Sequence, residues 1–307
     1  MARRPVPVTA AEETVDRRAS IAAAWVATAL LGTVPAIVGD LVFGGVPSWL
    51  VLGQLSAGAL LLVGVIAVPQ LRRLWRFVVV LLTLVTATTL VSWGDFSLEP
   101  VQRLLAGTAL DAELQPVLTA KLVVAVVMVV ALILMGLRPR EFFLRVGDLA
   151  APIRPVPALG FPKADSWTRF GLIWGFGIAA VLGVVQFVVM RPSASAFVAI
   201  LPMVPAILVY AAVNAVAEEL AYRAPVLATA RRAVGSGQAL WVSAVFFGLA
   251  HYFGIPGGFF GALASIFMGW ILSKAMLETR GLFWPWLIHF LSDVVIFAFL
   301  AIAIATG

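Results

Sequence analysis

Two histidines occur in this 307-residue chain, each in an apolar run with a polar or aromatic partner one helical turn away. His251 closes Phe247-Gly-Leu-Ala-His251, and His289 opens His289-Phe-Leu-Ser-Asp293. A third polar island, Glu218-Glu219-Leu-Ala-Tyr-Arg223, precedes them. An ionisable side chain at the centre of a membrane helix costs roughly 2.5–3.5 kcal/mol even on lenient insertion scales. Groups kept there against that cost mark a site. The chemistry they fit is acid–base work inside the membrane, with proton or ion transport as the alternative.

Each island has its own geometry. Glu219 and Arg223 stand four apart, the spacing at which opposite charges meet on a helix, so they read as a structural ion pair. Glu218 is turned by about 100° from Glu219 and points elsewhere, with only Asn214 and Tyr222 as partners on its own helix. A carboxyl so placed suits a general base. His251 is expected about 14 residues into its span, roughly 20 Å deep by helix rise. His289 and Asp293, at i and i+4, share one helix face, a spacing that also serves paired metal ligands. Taken singly these signals are weak; three helices delivering polar groups at similar depth is a strong one.

The elements that must position these groups follow from composition. A hydrophobic share of 62%, a charged share of 12% and a mean hydropathy of +1.06 exclude a soluble globule and point to an all-α, polytopic membrane bundle. The apolar runs are continuous and about 20 residues long, unlike the alternating segments of outer-membrane barrels. No cysteine is present, which excludes disulfides, thiolate catalysis and Cys-based metal sites. Nine spans are expected, near 20–43, 48–71, 76–93, 117–137, 168–190, 196–230, 237–254, 258–278 and 282–305, or eight if an N-terminal segment is re-entrant. The first follows a basic leader (Arg3, Arg4, Arg17, Arg18) and is expected to remain as an anchor.

With the N-terminus cytoplasmic, 17 of the 21 basic residues fall on the inner side, and Arg103, Lys121 and Arg191 on the outer. The net charge of +6 is then a matter of topology, and no nucleic-acid partner is expected. The stretch Gly94 to Pro116 reads equally as an interfacial amphipathic helix or a solvated loop. A proline-rich connection, Arg138 to Trp167, divides a leader and four-span region (1–150) from a five-span region (151–307). Pro202 and Pro205 are expected to kink or start the long span that carries Glu218. The tryptophans, Trp49, Trp75, Trp93, Trp167, Trp284 and Trp286 among them, read as an interfacial belt. The turn Gly254-Ile-Pro-Gly-Gly258 reads as a tight connection, since no phosphate-binding motif accompanies it.

Glu218-Glu219-x-x-x-Arg223, Phe247-x-x-x-His251 and His289-x-x-x-Asp293, in that order, resemble the motifs of the CAAX-protease and bacteriocin-processing (Abi, CPBP) family of intramembrane endopeptidases. The resemblance covers about 165 to 305 and leaves 1 to about 150 outside it. It implies peptide-bond hydrolysis of a membrane-associated protein or peptide: a prenylated CAAX substrate if the source is eukaryotic, and peptide processing, bacteriocin self-immunity or cleavage of another membrane protein if it is bacterial. The bacterial cytoplasmic membrane is the expected location. Glu218 would activate water, His251 would bind or protonate, and His289 with Asp293 would steady the oxyanion. Glu219, Arg223 and Phe247 would hold the site in shape. Zinc on Glu218, His251 and His289 is one form of this mechanism; a metal-free glutamate mechanism is the other. The eukaryotic prenyl-endopeptidase branch has asparagine where this chain has Asp293, and an ionised aspartate cannot donate to an oxyanion. Asp293 is therefore expected to be protonated, to orient His289 or to ligate a cation, and the oxyanion role is safer for His289 than for Asp293. The competing classes are a proton- or ion-coupled transporter, which would show a repeat between halves, and a catalytically silent membrane scaffold or immunity protein.

Overall fold

The computed structural model describes residues 10–94, 108–255 and 257–306, with side-chain surroundings from residue 16 onward. The first half comprises α1 (Ala10–Leu31), α2 (Val34–Phe43), α3 (Leu50–Ala67), α4 (Trp75–Ser92) and α5 (Ala109–Leu134). The second comprises α6 (Trp167–Met190), α7 (Ala194–Ala199), α8 (Val204–Glu218), α9 (Ala224–Val234), α10 (Ser236–Ala250), α11 (Gly258–Thr279) and α12 (Phe283–Thr306). Large apolar side chains cover the outside, among them Leu60, Leu134 and Val189, as lipid contact requires. The chain is an all-helical integral membrane protein.

Among the described residues seven helical segments are long and apolar enough to cross a bilayer, and eight if α1 and α2, bent by 46°, make one broken span. Of the two expected counts, eight is reached with this broken span and nine exceeds it. The segment read as 237–254 forms α10, whose 15 residues end at Ala250 before a 3-10 turn, His251–Phe253. At 1.5 Å per residue α10 is about 22 Å long, short of a core of about 30 Å.

The stretch Gly94 to Pro116 is also corrected where it is described. Thr108 starts α5: its hydroxyl accepts from the Asp111 N–H, and the Asp111 carboxylate accepts from the Thr108 N–H. This capping box fixes the helix start ahead of Pro116, which lies inside the helix. Asp95, Glu99 and Arg103 lie outside the described residues. Pro202 sits in a 3-10 turn and Pro205 in the first turn of α8, as expected of residues that lack an N–H.

The proline-rich connection is a packed strap. Its short antiparallel strands β1 (Pro152–Ile153) and β2 (Asp165–Ser166) pair Pro152 with Ser166 and Ile153 with Asp165. It binds the turn between α11 and α12 through Asp148 N to Thr279 O (2.9 Å) and Leu282 N to Arg145 O (2.8 Å). A Cβ on Gly281 would fall 2.2 Å from the Val146 carbonyl, so glycine is required at this crossing. Glu141 anchors the other end, pairing with Arg232 and accepting from the Arg138 N–H at 2.7 Å. That backbone hydrogen bond, with the two arginines, holds its carboxyl below the usual carboxylate range.

Trp49 and Trp93 are exposed, as an interfacial belt requires, whereas Trp167 and Trp284 are buried and cannot belong to one. Trp284 donates to the Leu149 carbonyl at 2.9 Å and Trp167 to the Glu278 carboxylate at 2.9 Å. Their indole N–H groups have partners within the protein.

Candidate active site

The polar groups meet where α5, α8 and α12 pack together. Glu218 ends α8, and the next five residues, Glu219–Arg223, form a π-helical segment before α9. The cause lies in Pro225, in the first turn of α9. Proline offers no N–H to the carbonyl four residues back and its ring clashes with it, so the ladder opens just before it. Such widened turns recur at functional sites. Here Glu219 and Arg223 of the segment are both buried.

Arg223 pairs with Glu219, and both side chains are fully enclosed. The face of Phe247 lies 4.1 Å from the guanidinium carbon, and the same ring meets His251 (4.4 Å between centroids) and His289 (5.7 Å). Phe247 is thus the hub of all three sequence motifs. The second function of Glu219 is to accept from His289 Nδ1 at 2.9 Å. Because Glu219 is the anion of an arginine pair, it fixes the proton on Nδ1, leaving Nε2 of the neutral ring with a lone pair. That tautomer is assigned from the hydrogen-bond network.

His289 Nε2 lies 3.6 Å from Glu218 Oε2 and 3.7 Å from Asp293 Oδ2, so the i, i+4 pair does face one point with Glu218. Asp293 accepts from Asn214 Nδ2 at 2.9 Å. His251 stands apart: its Nδ1 is 2.9 Å from the Phe247 carbonyl, and among the described residues it makes no ion pair with Glu218, Glu219 or Asp293.

One member was missed by the sequence reading. Glu218 is paired with Lys121 of α5, Nζ to Oε1 2.6 Å, and the same ammonium donates to Asn214 Oδ1 at 2.8 Å. Lys121 is not an outer-side residue: it stands twelve residues into the 26-residue α5, about 18 Å along its axis. Nor is Glu218 without a partner. The only signal available was a lone lysine within an apolar run, which topology counting assigned to a helix end.

Among the described residues no group of three or more His, Asp or Glu side chains is placed to hold a metal ion. His251 is turned to a backbone carbonyl, and an ammonium already occupies one oxygen of Glu218. The set Glu218, His251 and His289 therefore does not form a zinc sphere of the three- or four-ligand kind.

Residues 200–295 match the family model of the Type II CAAX prenyl endopeptidase, Rce1-like. Over these residues the motif resemblance is borne out, and Glu218, Glu219, His289 and Asp293 all lie within them. The match spans less than a third of the chain and excludes Lys121. No curated protein and no solved structure shows a significant match.

Proposed function

We propose that this protein is an intramembrane endopeptidase of a bacterial cytoplasmic membrane, hydrolysing a peptide bond in a membrane-associated substrate with water activated by Glu218. The observation that carries this reading is the convergence of Glu218, His289 and Asp293 within the segment that matches the endopeptidase family.

Glu218 Oε2, the oxygen not bonded to Lys121, faces His289 Nε2. A water seated beside this pair, within hydrogen-bond reach of both atoms, would give one proton to the carboxylate while the imidazole lone pair accepts from it and orients it. Asn214 holds Asp293 in place, and Asp293 in turn flanks His289. Glu219, Arg223 and Phe247 keep the ring of His289 in the stated tautomer and orientation. His251, its ring tilted against that of Phe247, is assigned to substrate binding or to protonating the leaving amine.

The test is turnover by the full-length protein in liposomes, on a farnesylated CAAX peptide and on unprenylated apolar peptides. Wild type should cleave at least one of these, and Glu218→Gln should lose about 10²–10⁴-fold in rate, the usual contribution of a general base. Glu218→Gln protein as active as wild type would contradict the assignment. A silent scaffold would show no cleavage in either.

A further inference from the structure

The site holds a base, but its oxyanion donor is not where the motifs lead one to look. Hydrolysis places a negative charge on the former carbonyl oxygen, and a donor aimed at that charge is the largest catalytic contribution in most such sites. Asp293 has no N–H: its carboxyl accepts, here from Asn214 Nδ2 at 2.9 Å, and donates only when protonated. His289 spends its N–H on Glu219 and turns a lone pair inward, so it donates only as the imidazolium. Arg223 has two nitrogens without partners, but its side chain is fully enclosed and covered by Phe247, beyond the reach of substrate.

Lys121 has none of these defects. An ammonium carries three N–H groups. Two are used, on Asn214 Oδ1 and Glu218 Oε1. Its side chain is 30% exposed, against 10% for Glu218 and 3% for His289. The cation is thus beside the base and held by two acceptors, and among the described residues its third N–H has no acceptor in the protein.

We propose that Lys121 is a catalytic residue, the donor that stabilises the tetrahedral oxyanion in place of the amide that Asp293 cannot supply. The proposal rests on the endopeptidase reading above. In the step, Glu218 takes a proton as the water oxygen bonds to the scissile carbonyl carbon. The C=O π pair moves onto the carbonyl oxygen, which accepts the free N–H of Lys121. Collapse reforms the C=O, breaks the C–N bond and passes the Glu218 proton, directly or by way of His251, to the departing amine. Because α5 lies outside the matched segment, this places part of the catalytic machinery in the N-terminal half.

The experiment compares wild type, Lys121→Met, Lys121→Arg, Tyr222→Phe, Glu218→Gln and the double variant Lys121→Met/Asp293→Asn, all full-length in liposomes, on whichever probe peptide the wild type cleaves. Lys121→Met, which has no donor, should lower kcat about 10²–10³-fold, as removal of an oxyanion donor does, with KM within about threefold. Lys121→Arg should keep more activity than Lys121→Met. The Asp293→Asn change in the double variant restores an amide donor and should recover about tenfold of the lost kcat, which a merely structural lysine would not allow. An unchanged kcat in Lys121→Met, a change in KM alone, or a larger loss in Tyr222→Phe than in Lys121→Met overturns the proposal. So does a kcat loss that tracks thermal unfolding and is not relieved in the double variant. If Lys121→Met does not fold, Lys121→Arg settles the matter: kcat within about tenfold of wild type supports the role, and a larger loss overturns it. Inactive Glu218→Gln beside fully active Lys121→Met would sink this proposal alone. No cleavage by wild type would sink the endopeptidase reading and this proposal with it.

Discussion

At the scale of single residues, the buried pair Glu219–Arg223 is held by geometry that tolerates little change. Removing one partner of a fully enclosed ion pair costs about 3–5 kcal/mol, since the other charge stays behind without compensation. Glu219→Gln should therefore destabilise by that amount and also release His289 from its tautomer. The double variant Glu219→Gln/Arg223→Met removes both charges and should recover much of the stability but not the activity, as read by thermal unfolding in detergent and by turnover. A double variant as unstable as Glu219→Gln would show that the pair is not the source of the cost. The sequence made this pair legible because its spacing is local. Contact between Lys121 and Glu218, 97 positions apart, has no local signature. The widened turn was missed for a different reason: its cause, Pro225, follows the motif it reshapes.

At the scale of elements, α10 and α11 approach so closely that glycine is required. A Cβ at Gly248 would sit 2.5 Å from the Ile266 backbone nitrogen, while Gly269 rests against Ala244. Small residues let neighbouring membrane helices pack in this way. Gly248→Ala should destabilise by about 1–3 kcal/mol or more through overpacking. Gly177→Ala is the control, since nothing lies within 4 Å of its added Cβ and alanine favours a helix by up to about 1 kcal/mol. Thermal unfolding of the two variants should move in opposite directions; equal shifts would show that close approach is not what Gly248 serves. The helices themselves were legible, because runs of apolar residues of membrane length announce them. Their ends were not, since Thr108 and Asp111 cap α5 well before Pro116, and α10 stops at Ala250 where hydropathy continues.

At the scale of the whole molecule, the expected division near residue 150 does not divide the site. The largest buried cluster joins Phe77 and Met128 of the first half to Leu227 and Phe246 of the second, and Lys121 reaches Glu218 across the same seam. The connection between the halves is tied to α9 by Glu141, whose carboxyl is held below its usual range in the folded protein. A depressed folded value gives a contribution that is present above the unfolded carboxylate value, about pH 4.3, and is lost as pH falls through the folded value. The difference in thermal stability between wild type and Glu141→Gln should accordingly be steady at neutral pH and shrink below about pH 4. A difference that does not change with pH would remove Glu141 as an electrostatic anchor.

Hydrolysis by Glu218-activated water is tested most directly by turnover in ¹⁸O-enriched water, with products weighed by mass spectrometry. Full-length wild type should release one peptide pair from a single bond, with the heavy oxygen in the new carboxyl terminus. Glu218→Gln, folded to the same thermal transition, should yield almost none. Unlabelled products, or labelled products in equal amount from Glu218→Gln, would contradict a glutamate-activated hydrolytic site.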